Sequence, residues 1–86
     1  MTAENTIYIT ADTDPTLLAR VMGVLSTLSI IPSRLSAVRG VDETMSVKME
    51  LFGVSERGLD LLQRNLMRLP QCIELKTEYK LTRVAC

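Results

Sequence analysis

Ile7-Tyr8-Ile9-Thr10-Ala11-Asp12-Thr13-Asp14-Pro15-Thr16-Leu17-Leu18-Ala19-Arg20-Val21-Met22-Gly23-Val24-Leu25-Ser26-Thr27-Leu28-Ser29-Ile30-Ile31-Pro32-Ser33-Arg34-Leu35 is the stretch that decides the fold. It opens with alternation: Ile7, Ile9 and Ala11 fall on one face, Tyr8, Thr10 and Asp12 on the other, the period of a half-buried strand over residues 6–12. A polar turn follows. Thr13 or Asp14 offers a side-chain oxygen to the free amides of a coming helix, and Pro15 fits its first position, where no amide donor is needed. Leu17, Val21, Leu25 and Leu28 then recur at helical spacing, joined by Leu18 and Met22, with Arg20, Ser26 and Thr27 opposite. Pro32 bars further helix, so the chain leaves it near Ser29 and becomes extended. The turn at residues 12–16 therefore sits where a sheet meets a helix N-terminus, a natural place for a small anionic ligand or a partner.

The remaining chain repeats that outline. In the second strand Leu35 and Ala37 share one face, and Arg34, Ser36 and Val38 the other. Residues 40–43 form a hairpin turn. Residues 44–52 alternate more cleanly than any other stretch, Met45, Val47, Met49 and Leu51 against Ser46, Lys48 and Glu50. Ser55 caps a second helix with Leu59, Leu62, Leu66 and Leu69 on one stripe, and Pro70 stops it. Ile73, Leu75, Tyr79 and Leu81 then oppose Glu74, Lys76, Glu78 and Lys80 in a last strand whose exposed charges mark a sheet edge. The order is strand, helix, strand, strand, helix, strand. With every element apolar on one side only, it packs as an α+β, ferredoxin-like βαββαβ fold: a four-stranded antiparallel sheet with both helices on one face. The whole of residues 1–86 is expected to be one domain, ordered over about residues 6–82.

Composition narrows the chemistry. Ten basic and ten acidic residues are scattered along the chain, which lacks the pull of a nucleic-acid or membrane-surface binder. With no Trp, one Phe and two Tyr, base-stacking platforms are nearly absent; Tyr8 and Phe52 alone stand on the central strands' outer face. There is no His, and Cys72 and Cys86 form no spaced cluster, so neither a metal centre nor a cofactor is expected. Asp12 and Asp14 read as turn and capping residues rather than as an acid–base pair, and Cys72 reads as a small buried hydrophobe. The expectation is a non-catalytic chain in a reduced, cytoplasmic setting, without a leader or a membrane span.

The segment Asp14-Pro15-Thr16-Leu17-Leu18-Ala19-Arg20-Val21-Met22-Gly23-Val24-Leu25, followed by Ile31-Pro32-Ser33-Arg34-Leu35-Ser36, resembles the opening of the ACT domain, whose pattern is Asp or Asn, Pro, Gly, then Val-Leu-x-Arg-Val, and later Asn-Ile-x-Ser-Leu. Met45-Ser46-Val47-Lys48-Met49-Glu50-Leu51 and the Leu-rich second helix fall where that family has its third strand and second helix. ACT domains sense small molecules, mostly amino acids, and regulate an attached or associated enzyme. Within the family, a single domain of this length with Pro-x-x-Leu-x-Arg-Val looks most like the short regulatory subunit of acetohydroxyacid synthase, the thiamin diphosphate enzyme that opens branched-chain amino-acid synthesis.

The resemblance implies a homodimer, formed by sheets side by side or by helix faces, that docks on the synthase's catalytic subunit, with a branched-chain amino acid as candidate effector. The residues it points to are Asp12, Thr13, Asp14, Thr16 and Leu17 in the first turn, with Ile30, Ile31 and Pro32 facing them across the dimer; Arg34 and Arg39 are docking candidates. Two departures matter. Thr16 stands at the family's Gly and its branched side chain crowds the approach to the backbone amides; Ile31 replaces the Asn, and Pro32 lacks an amide donor. The implied protein keeps the scaffold with sensing weakened or lost. The alternative implied is a freestanding ACT domain that binds a small amino acid and regulates another enzyme.

Overall fold

The computed structural model describes residues 2–82. It contains β1 (Thr2–Asp12), α1 (Leu17–Thr27), β2 (Arg34–Arg39), β3 (Thr44–Phe52), α2 (Glu56–Met67) and β4 (Cys72–Thr82). The strands form one antiparallel sheet in the order β2-β3-β1-β4, so β1 and β3 are central and β2 and β4 are its edges. This is the βαββαβ arrangement expected from the alternation.

Register explains why one face is core. Ile7 pairs with Met49 and Ile9 with Val47, and all four are at most 2% exposed. Ala11 and Leu51 extend the same inward row. From the helices Leu17, Val21, Leu25, Leu62 and Leu66 close over it. The buried hydrophobic side chains of the described residues are all non-aromatic, as a chain with no Trp, one Phe and two Tyr leads one to expect. The opposite sheet face carries Lys48 in the open, with Tyr8 and Glu50 half-buried beside it.

Four local expectations need correction. First, β1 begins at Thr2, ahead of residue 6, because β4 is equally long and pairs with it to Thr82. Second, Pro15 is not the first helical residue: it lies in a turn closed by Leu17 N donating to Asp14 O at 3.1 Å, and α1 starts two residues later. Third, Met22 is 58% exposed, since it falls one step round the helix from Val21 and off the sheet. Fourth, Ile73 is 57% exposed although alternation turned it inward. A register shift opposite Thr10 and Ala11 makes Ala11 pair with Cys72 and leaves Ile73 outside the ladder. The side chains of Lys80 and Leu81, and Cys86 as a whole, lie outside what the structure describes.

Candidate functional site at the first strand-to-helix turn

The turn after β1 is fastened from both sides. Asp12 N donates to Gln71 O at 2.9 Å, and Thr13 N donates to Glu43 O at 2.9 Å. The loop before β4 and the β2–β3 hairpin thus grip consecutive residues of one turn. Asp14 completes the brace: its Oδ1 accepts from Thr16 N at 2.8 Å and Thr16 Oγ1 at 2.7 Å, while its Oδ2 accepts from Gln71 Nε2 at 3.1 Å. The Thr16 amide, then the Gln71 and Thr16 side chains, stabilise the carboxylate and lower the Asp14 pKa to about 2. Asp14 is therefore a permanent anion that shapes the turn. It does not cap the helix, whose N-cap residue Thr16 makes no side-chain cap bond. Thr16 Oγ1 instead accepts from Arg20 Nε at 3.3 Å, which ties its hydroxyl to Asp14 and Arg20.

Beside this turn lies a recess of about 510 Å3 lined by Asp12, Thr13, Arg39, Asp42, Glu43 and Thr44. Its walls carry both signs of charge. Arg39 has no ion-pair partner among the described residues. Asp42 is held below its usual carboxylate range by the Thr44 hydroxyl, 2.6 Å from its Oδ1. Two buried acceptors nearby are unpaired, Thr13 Oγ1 and Gln71 Oε1. Buried polar atoms are nearly always paired, so these two stand out beside the recess.

The predicted site residues do not all meet in one chain. Asp12, Thr13, Asp14 and Thr16 surround the turn, whereas Leu17 is fully buried and acts there as packing. Ile30 is half-buried against the core, Ile31 is 88% exposed, and Pro32 follows them. These three lie at the far end of the sheet, since Asp12 is opposite Thr44 while Ser33 N donates to Glu50 O at 2.8 Å. Six residues along β3 separate the two ends by about 20 Å. Sequence reasoning missed Gln71, Asp42 and Glu43. Gln71 reaches Asp14 across 57 positions, and no local pattern signals such a contact.

Sequence comparison matches the chain to no family model and to no curated relative. Structure comparison does find neighbours. The ACT domain of GTP pyrophosphokinase from Chlorobium tepidum superposes with a TM-score of 0.76 at 13% identity, covering 91% of this chain and 100% of that one. The fold is that of an ACT domain. The C-terminal domain of the MgtC protein from Mycobacterium tuberculosis gives a TM-score of 0.72 at 12% identity over 91% of this chain and 87% of that one. A homoserine dehydrogenase from Thiobacillus denitrificans gives 0.68 at 13% identity over 92% of this chain but 17% of its own length. A fold of this kind thus also occurs as a small part of a much longer chain. No helix among the described residues is long and apolar enough to cross a membrane.

Proposed function

We propose that this chain is a non-catalytic regulatory ACT domain that pairs with a second copy and docks on the thiamin diphosphate catalytic subunit of acetohydroxyacid synthase, in the cytoplasm. The observation that carries the regulatory reading is the braced but uncapped start of α1. The turn is rigidly held by Gln71, Glu43 and Asp14, yet the helix end beyond it keeps amides that no side chain takes. Rigid positioning of an unfilled end suits recognition rather than folding alone. The assignment to the synthase rests on the Pro15-x-x-Leu18-x-Arg20-Val21 resemblance.

Pairing also accounts for the split site. β2 is an exposed edge bonded to β3 alone. Two β2 edges joined antiparallel about a two-fold axis set the Arg39 end of one against the Arg34 end of the other. Each turn then has the partner's residues 30–32 beside it, which unites groups lying about 20 Å apart in one chain.

A second reading is favoured by the recess itself. Arg39 is the one cation that suits a carboxylate, and Asp12, Asp42 and Glu43 suit an ammonium, so a small amino acid is the candidate ligand, its ammonium better provided for than its carboxylate. Thr16 commits its hydroxyl to Asp14 and Arg20, and as the N-cap residue it stands with a branched side chain where the family has Gly. Weak sensing follows. The test is acetolactate formation by the catalytic subunit with this chain in excess, with and without valine. Stimulation insensitive to valine is expected; no stimulation and no complex on a sizing column would remove the synthase reading, and tight valine binding by calorimetry would favour the freestanding sensor.

A further inference from the structure

At the other end of β1 the inward row breaks its apolar rule. Asn5 stands in line with Ile7, Ile9 and Ala11, opposite Leu51 and Tyr79, and is 3% exposed. Its Oδ1 has no hydrogen-bond partner. A leucine would pack there without stranding an acceptor, so the amide weakens the fold unless something binds it.

Asn5 lines a recess of about 250 Å3 whose other walls are Val54, Glu56, Leu59, Thr77 and Tyr79. Val54 and Leu59 make the floor apolar, and Leu59 is itself packed on the core. Glu56 supplies the charge, and no Lys or Arg lines the recess. At the neighbouring start of α2 the Ser55 cap takes one first-turn amide, Ser55 Oγ accepting from Gly58 N at 3.1 Å, so Glu56 remains the one charged side chain of the recess. An amide oxygen, a carboxylate and a phenol ring around an apolar floor select a cation with a short hydrocarbon body. They also reject an α-amino acid, whose carboxylate would meet Glu56.

We propose that this recess binds a small primary alkylammonium ion, the ammonium donating to Asn5 Oδ1 near Glu56 and the chain lying on Val54 and Leu59 beside Tyr79. The recess, at about 250 Å3, has room for a ligand as small as butylammonium. The site lies at the opposite end of the sheet from the Asp12 turn and stands whether or not that turn binds an effector.

The test is a titration of the 15N-labelled full chain with butylammonium chloride, and with butanol and sodium butyrate at matched ionic strength, read at the Asn5 side-chain amide and the Leu59 backbone amide. Butylammonium is expected to give saturable shifts, butanol to bind at least about tenfold more weakly, and butyrate not at all. Glu56→Gln, an exposed change that leaves the Ser55 cap intact, weakens binding about threefold, the size of an exposed charge contact. Asn5→Leu abolishes the Leu59 response and raises the melting temperature. Equal responses to butanol and butylammonium, shifts that never saturate, or full affinity in Glu56→Gln would overturn the proposal.

Discussion

The chain passes from a central strand into a helix twice, and the two junctions are built differently. Between β3 and α2, Gly53 at φ 72° turns the chain, Ser55 adopts the extended geometry of a cap, its Oγ takes the Gly58 amide, and Glu56 adds a carboxylate to the first turn. That junction completes itself locally. Between β1 and α1, Thr16 is already helical, makes no cap bond, and no acid lies in the first turn. Its order comes from outside, through Glu43 and Gln71. The junction to α2 caps its helix with its own Ser55, whereas the junction to α1 is braced from a distance and leaves its helix end without a side-chain cap. The contrast is between a locally capped turn and a remotely braced one within one repeated outline, and the recognition role proposed for the second rests on it.

The sharpest way to test that contrast is at Leu17, the only buried member of the predicted turn site. Leu17→Ala should cost about 2–5 kcal/mol in chemical denaturation, as a core truncation does. A cost below about 0.5 kcal/mol would return Leu17 to the surface site. Next come the helix starts. Ser55→Ala should lose about 1 kcal/mol, the worth of an N-cap, while Thr16→Ala should lose less than about 0.5 kcal/mol. Equal losses would mean that the junctions are equivalent.

Thr13→Val tests the recognition side. Removing a buried hydroxyl that has no partner should leave the free chain as stable or about 0.5–1 kcal/mol more stable, while weakening whatever the turn binds. A clear loss of stability in the isolated chain would show that the hydroxyl serves the fold. The charge of the brace is tested by Asp14→Asn, which should lower stability at neutral pH and flatten its dependence on acid. Because the folded-state pKa of Asp14 is depressed to about 2, the carboxylate contributes stability above its unfolded value near 4, and this is lost as pH falls through the folded pKa. Thermal melts between pH 5 and 2 should therefore fall less steeply in Asp14→Asn than in the parent chain; identical slopes would show that the Thr16 and Gln71 contacts do not form in solution.

Periodicity made most of the fold legible. Alternation at residues 44–52 and the stripe through Leu17, Val21 and Leu25 are direct consequences of one-sided burial, so strand order and the location of the core could be read locally. What escaped was set by partners distant in sequence. Pro15 suits a turn as well as a helix start, and the choice was made by Asp14 bonding Gln71 across the fold. Ile73 obeys the alternation of its own strand, yet the shift beside Ala11 moved it out of the ladder. The turn site was half-visible for the same reason: Asp12 and Asp14 announce a turn, but nothing near them announces the Gln71 brace or the recess shared with Arg39 and Asp42. Asn5 was legible only as a missing apolar residue at the start of a row that runs on through Ile7.

The decisive measurement is hydrogen exchange of the full chain with and without the synthase catalytic subunit. Slowed exchange is expected at residues 12–20 and at residues 30–39, with residues 53–58 unchanged. Protection centred on residues 53–58, with the first turn exchanging as in the free chain, would contradict the assignment of recognition to the open junction.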